Sequence, residues 1–311
     1  MDGIPREDHE LSQTYLTFAK NEAAGQSTVY FALSSGIAYD PVLLGLIGEL
    51  PLLKRQPNLV LAAARWHGAP LESYVDFARF VADHWAEVSQ TILARSTQTN
   101  EPARCATLLP LLAQLPQPLA LIEVGASAGL CLYPDRYAYS YSGTRLGDAS
   151  VVFPCVTDGA VPDALPQITW RAGLDLNPLD VRDSQAMAWL ENLVWPGQDE
   201  RVARLRQAID IVRADPPRIL KGDLLTDLDG LIAQAPRDAT VVVFHTAVLA
   251  YVSPADREVF REKMSALKGH WISNEAPSVL GDSPAPGKFV LSLDGTPVAH
   301  TGPHGQAIHW L

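Results

Sequence analysis

The sequence predicts an α/β protein with a mostly parallel sheet, an antiparallel C-terminal hairpin and a helical N-terminal domain. Three observations carry this. Residues 9–115 show helical apolar periodicity and no convincing alternating strand pattern. From residue 119 onward, short apolar runs alternate with helical segments, as right-handed βαβ units require. The closing stretch KFVLSLDGTPVAHTGPHGQAIHWL holds Asp294-Gly295, a strong two-residue hairpin turn, and a second turn from Gly302 to Gly305. The expected division is a helical domain over 1–115 and a sheet domain over 116–311, with a hairpin inserted at about 137–168.

The helical half reads in order. PVLLGLIGELPLLKRQPNLVLAAARWHG is apolar and broken by Pro51 and Pro57. LESYVDFARFVADHWAEVSQTILARS places Tyr74, Phe77, Val81, Trp85, Val88 and Ile92 at spacings of three and four, one stripe on one helix. Thr99 or Asn100 can cap the next helix, with Pro102 in its first turn and Arg104, Leu108, Leu109 and Leu112 along it. LPQP ends that helix.

In the second half, LALIEV is a strand that ends at a glycine loop. SVVFPCV, ITWRAGLD, RILKGD, TVVVFHTAV and HWISNE are further strands. QAMAWLENLVW, ERVARLRQAIDIVRAD, LTDLDGLIAQAP and PADREVFREKMSAL are helices; Val202, Leu205, Ile209 and Val212 form the stripe of the second. RYAYSYSG puts Tyr137, Tyr139 and Tyr141 on one strand face, or offers them as a stacking surface.

Composition narrows the function classes. The chain has 311 residues, 47% of them hydrophobic, which is enough for a full core. Its formal charge of −11 and lack of a basic run argue against a general nucleic-acid binder. No apolar run reaches the roughly 18 residues of a membrane span. The opening MDGIPREDHELSQTY is acidic and polar, unlike a secretory signal. Cys105, Cys131 and Cys155 are few, widely spaced and odd in number, which fits three buried thiols in a reducing cytoplasm. The spacing of His300, His304 and His309 lacks a helical His pair, and no metal is expected. The expected partner is a small molecule, without nucleic acid or membrane; the sequence leaves the oligomeric state open.

The stretch EVGASAGL carries the chemistry, and it has two readings. Gly125-Ala126-Ser127-Ala128-Gly129 matches the G-x-S-x-G elbow of a serine hydrolase, with Ser127 as nucleophile. Such enzymes build several strands and an oxyanion loop before the elbow, whereas the hundred residues upstream here are helical. Glu123 also has no role in an acyl-transfer site. The alternative is a cofactor loop. Glycines let the backbone approach a ligand, and the following helix presents its N-terminal N–H groups. The dinucleotide pattern fails, because positions 127 and 130 are Ser and Leu. An acid followed by alternating glycines fits at Glu123, Gly125 and Gly129, with Ser127 replacing the middle glycine.

That pattern resembles motif I of the S-adenosylmethionine-dependent methyltransferases, which have a Rossmann-like sheet. Asp175 then ends the next strand, Gly222-Asp223 follows a third, and His245 ends a fourth. The resemblance implies that Glu123, Gly125, Ser127, Gly129, Asp175 and Asp223 bind S-adenosylmethionine, with Asp175 on the ribose and Asp223 near the adenine. It places His245 and Tyr251 at the transferred methyl, His245 as base. Asn100 and Glu101 would reach over the pocket from the helical half, Arg104 would clamp an acidic substrate bidentately, and His304 would be a turn residue or a lid over the acceptor. Each acid taken alone is at least as well read as a helix N-cap. Asp175 also lies far beyond the usual spacing from the glycine loop, and if YAYSY is the second strand of the sheet it loses the ribose role.

The segments TQTNEPAR, EVGASAGLCLYPDRYAYSY, GLDLNPLDV, LVWP with ERVARLRQAI, FHTAVLAYVSP and LDG with PHG occur in this order. Together they resemble an uncharacterised bacterial family, domain-of-unknown-function family twenty-three thirty-two. Ser127 stands where that family's own pattern has serine. The resemblance implies a methyltransferase-like fold and says little about activity. The expected function is methyl transfer to a small molecule; a non-catalytic ligand-binding protein of the same fold is the alternative, and a hydrolase using Ser127 the second.

Overall fold

The computed structural model describes residues 6–280 and 288–311. The first five residues of the acidic N-terminal stretch lie outside it. The chain forms two compact units, one of residues 1–99 with 188–202, the other of residues 100–187 with 203–311.

The first unit is helical. It holds α1 (Arg6–Phe18), α2 (Thr28–Ile37), α3 (Pro41–Gly48), α4 (Pro57–Trp66), α5 (Tyr74–Asp83) and α6 (Trp85–Ala94). Asp40 and Ser73 cap α3 and α5 with their side chains, and prolines open α3 and α4. The single helix expected over 74–94 is two. His84 leaves helical geometry at φ −114°, its Nδ1 sits 2.9 Å from Phe80 O, and its ring stacks on Phe80. Phe77, Val81, Val88 and Ile92 of the expected stripe are buried on both sides of this break. Residues 188–202 belong to the same unit: Trp189 Nε1–H donates to Ser96 O (2.9 Å), and Trp195 packs on Phe18 and Tyr30. Among the described residues no single helix is long and apolar enough to cross a membrane.

The second unit is built on an 11-stranded sheet. In chain order its strands are β1 (Leu119–Val124), β2 (Ala138–Tyr141), β3 (Thr144–Leu146), β4 (Val152–Thr157), β5 (Ile168–Asp175), β6 (Arg218–Lys221), β7 (Thr240–Thr246), β8 (His270–Glu275), β9 (Phe289–Leu293), β10 (Thr296–Thr301) and β11 (Ala307–Trp310). The spatial order is β3-β2-β4-β11-β10-β9-β8-β7-β1-β5-β6. Strands β6, β5, β1, β7 and β8 run parallel, and β9, β10 and β11 continue antiparallel. The expected hairpin turn is present, with Asp294 at φ 51° and Gly295 at φ 80°.

The helices of this unit are α7 (Cys105–Gln114), α8 (Ser184–Leu193) and α9 (Asp199–Ala214), the last two shared with the helical unit, then α10 (Leu228–Ile232), α11 (Pro254–Ser265) and α12 (Pro277–Leu280). The sequence placed residues 100–115 in the helical half, but they cluster with the sheet. Every residue of α7 from Cys105 to Leu112 is buried. Tyr141 of β2 donates its hydroxyl to Ala106 O (2.7 Å), and Asn274 of β8 donates to Thr107 Oγ1 (3.4 Å). One helix therefore touches strands five places apart in the sheet, β2 near one edge and β8 in the middle, and the sheet curls around it. A helix apolar all round is a core helix.

The inserted segment also goes further than expected. Strands β2, β3 and β4 pair at the far edge of the sheet, where β4 joins β11, and β5 returns to lie beside β1. Asp175 therefore ends the immediate neighbour of β1. The three tyrosines are no stacking surface: all are buried, and their hydroxyls donate to Leu130 O, Pro134 O and Ala106 O, each at 2.7 Å.

Candidate functional site at the carboxyl edge of the sheet

The glycine loop follows β1 and takes three left-handed residues in alternation, Gly125 (φ 71°), Ser127 (φ 50°) and Gly129 (φ 73°). At Ser127 the β-carbon makes this cost roughly 1–2 kcal/mol. Neighbouring strands compensate. Gly125 and Ala126 N–H donate to Leu174 O at 2.8 and 3.2 Å, and Ser127 N–H donates to Asp175 Oδ2 at 2.7 Å. The other oxygen of Asp175 accepts Asn177 N–H at 2.7 Å. Leu130 N–H donates to Asn100 Oδ1 at 2.7 Å. Asp175 and Asn100 thus hold the loop from two sides.

The free faces of the glycines meet protein. A β-carbon at Gly125 would run into Val248, and one at Gly129 would lie 2.7 Å from Pro217 Cγ. No helix follows the loop, only a buried 3₁₀ turn at Leu130–Leu132. This corrects two expectations. The helix N-terminus that would present N–H groups to a ligand is absent, because LCLY is apolar throughout and Pro134 stops it. The strand–turn–helix of a nucleophile elbow is absent for the same reason, and Ser127 is buried.

Alternation along the strands sorts the polar side chains. Glu123, Thr246 and Asn274 face α7, whereas His245 and Trp271 face α11, where both rings pack on Phe260. On the α7 side Glu123 is 2% exposed, and its Oε2 has no hydrogen-bond partner. Burial pushes its carboxyl well above the usual range; Cys131 and Asp175 add to this, and the Arg104 guanidinium opposes it. Thr301 Oγ1 donates to Asn274 Oδ1 at 2.7 Å and completes the polar cluster.

The segment from Asn100 to Arg104 lies across this edge. Glu101, rather than Thr99 or Asn100, caps its 3₁₀ turn, accepting Ala103 N–H at 3.2 Å. Its carbonyl accepts the Cys131 thiol at 3.3 Å. Arg104 was expected to clamp an acidic substrate; instead it is a buried strut. Its Nε donates to Pro303 O (2.9 Å), its Nη1 to Thr246 O (3.1 Å) and Oγ1 (3.3 Å). It thereby fixes the turn that carries His304. Gly305 of that turn lies against the Ala103 carbonyl so closely that no β-carbon fits. His304 is half-buried, and its main-chain N–H donates to Gln306 Oε1 at 2.9 Å.

His245 does not fit the role of base. It is 0% exposed, its Nδ1 lies 2.7 Å from Glu275 Oε1, and Trp271 Nε1–H donates to its Nε2 at 3.0 Å. Both ring nitrogens are engaged inside the core. Tyr251 is 72% exposed on the turn Leu249–Tyr251, so the two residues share no site. Asp223 is half-buried beyond β6; its Oδ1 accepts Leu225 N–H (2.7 Å), an Asx turn rather than a helix cap. Gly222 N–H donates to Asp175 O (3.0 Å), which sets the Asp223 loop beside the Asp175 loop.

The structure therefore brings Asn100, Glu101, Arg104, Glu123, Ser127, Asp175 and the turn of His304 to one edge. Sequence reasoning missed Thr246, Val248, Asn274 and Glu275. Glu275 carried a signal, since HWISNE ends an apolar strand in a carboxylate as LALIEV does. Among the described residues no cluster of three or more metal-type ligands occurs, and His309 pairs with Asp158 at 3.0 Å.

Fold and site define an α/β protein with a curved, mostly parallel mixed sheet and a buried polar cluster at the carboxyl edge of its parallel strands. The chain belongs to the bacterial family described as "uncharacterized protein conserved in bacteria (DUF2332)", which matches residues 12–310. No curated protein matches it.

Proposed function

We propose that the protein binds S-adenosylmethionine at the carboxyl edge of β1, β5, β6 and β7 and transfers its methyl group to a small-molecule acceptor. The observation that carries this reading is strand order. The parallel strands lie β6-β5-β1-β7-β8, so the chain runs outward from β1 and then reverses to its other side. Open α/β sheets bind ligands at such a switch point. Glu123 lies at the end of β1, beside that point, and Asp175 and Asp223 follow at the ends of β5 and β6 on one side of it.

The residues present fit the cofactor in part. The unpartnered, buried Oε2 of Glu123 is an acceptor that a ligand ammonium would satisfy, and a cation there would bring its raised pKa down. The half-buried Asp223 is placed to accept donors from a heterocycle or sugar. Asp175 and Asn100 act through the loop, fixing its left-handed path. The glycine faces, taken up by Val248, Pro217 and Ile219, do not fit a ligand approaching the loop directly. The cofactor, when bound, supplies a sulfonium methyl for in-line displacement, and the protein's part is positioning and exclusion of water. With His245 enclosed, His304 is the remaining histidine of the sequence-derived set, held over this edge by Arg104.

The enclosure of His245 also favours a second reading, a ligand-binding protein of the same fold without catalysis. Calorimetry with S-adenosylmethionine and S-adenosylhomocysteine, on wild type and Asp223→Ala, tests the binding; heat from neither ligand sinks it. Turnover of labelled methyl groups on a metabolite extract separates the enzyme from the binding protein.

A further inference from the structure

The segment after β7 closes over the glycine loop, and it is held there under strain. Ala247 has φ 57°, a left-handed conformation that its β-carbon disfavours. Its N–H donates to Asn274 O at 3.0 Å. Val248 N–H donates to Glu275 Oε1 at 2.9 Å, the same oxygen that meets His245. On the other flank, Leu249 is buried in the core, and Arg257 Nε donates to Leu249 O and Val252 O at 2.7 and 2.9 Å. Both neighbours of Val248 are pinned, and its side chain is seated on Gly125. Gly125 is the first loop residue beyond β1, on the side of the β1/β7 switch point.

We propose that Val248 controls access to the β1/β7 crevice: a ligand reaches Gly125 only when this side chain leaves it, and the strained Ala247 favours that departure. The identity of the ligand rests on the cofactor reading above; the gate itself does not. Two substitutions push in opposite directions. Val248→Ala removes the plug without touching the backbone. Ala247→Gly relaxes the left-handed residue in the closed form and stabilises closure. A residue that only packs would move stability, and would not move ligand affinity with opposite signs.

The test is calorimetric titration of S-adenosylhomocysteine into wild type, Val248→Ala and Ala247→Gly, with thermal melts to confirm that each is folded. Val248→Ala should tighten binding about tenfold and Ala247→Gly should weaken it about fivefold. Equal affinities in the three proteins, or shifts of one sign, overturn the gate and leave the cofactor reading standing. If none of the three binds, the cofactor reading fails, and amide exchange decides the gate. Exchange over Gly125–Gly129 should then be several-fold faster in Val248→Ala and slower in Ala247→Gly; unchanged exchange overturns the gate.

Discussion

The indole N–H of Trp271 donates to Nε2 of His245 at 3.0 Å, and this fixes the imidazole tautomer. With Nε2 accepting, the ring proton sits on Nδ1 and is donated to Glu275 Oε1 at 2.7 Å. His245 is a buried bridge between an indole and a carboxylate.

Its removal should therefore cost stability first. His245→Ala leaves the buried Glu275 with the Val248 N–H alone and should cost about 3–5 kcal/mol. Trp271→Phe removes the donor and some ring volume and should cost about 1–3 kcal/mol. Urea denaturation measures both; a Trp271→Phe protein of wild-type stability would show that the indole contact contributes nothing.

Glu123 sets a pH dependence whose sign follows from its raised pKa. The folded protein holds this proton to higher pH than the unfolded chain, whose ordinary value is 4.5. Its stabilising contribution is fully present below that value and is lost as pH rises through the raised one. The slope of that loss approaches about 1.4 kcal/mol per pH unit. Glu123→Gln should lack it, so the variant gains on wild type as pH rises. Parallel stability profiles in the two proteins, measured by urea denaturation across the pH range, would remove this assignment.

Asp175 holds two backbone amides, and its loss should be felt in the loop. Asp175→Ala should cost about 1–3 kcal/mol and raise amide exchange at Ser127 and Asn177. Asp175→Asn retains one carbonyl acceptor and should protect one of the two. Unaltered exchange at Ser127 in the alanine variant would show that the loop keeps its path unaided.

Gly305 and Gly197 share left-handed φ values, 78° and 86°, but differ in surroundings. A β-carbon at Gly305 meets the Ala103 main chain, and one at Gly197 meets nothing within 4 Å. Gly197→Ala should cost only the conformational roughly 1–2 kcal/mol, and Gly305→Ala about 1–3 kcal/mol more. Equal costs in thermal melts would contradict the close docking of the 302–305 turn on Ala103.

Local signals made much of this fold legible. LALIEV, ITWRAGLD and HWISNE declare strands, and Asp294-Gly295 declares its hairpin. Non-local pairing was not legible: nothing in YAYSY says that β2 and β4 cross to the far edge of the sheet. The place of α7 was half legible. CATLLPLLAQ has no polar face, the mark of a core helix, but chain continuity assigned it to the helices upstream. At the candidate site, the acid-and-glycine pattern pointed to Glu123 and Ser127, and the series of strand ends pointed to Asp175. The fate of His245 depended on Trp271 and Glu275, which are 26 and 30 residues away in sequence. No local spacing reveals such partners.

The junction of β4 with β11 has a kinetic consequence. Among the described residues, strands β3, β2 and β4 reach the rest of the sheet through the register Ala307↔Val156 and Ile308↔Thr157, reinforced by Asp158 against His309 and Trp310. Asp158 and His309 are 151 residues apart in the chain, and a contact of that span forms slowly because so much chain must be ordered first. Parting this junction would expose two unpaired strand edges, those of β4 and β11, to neighbouring chains.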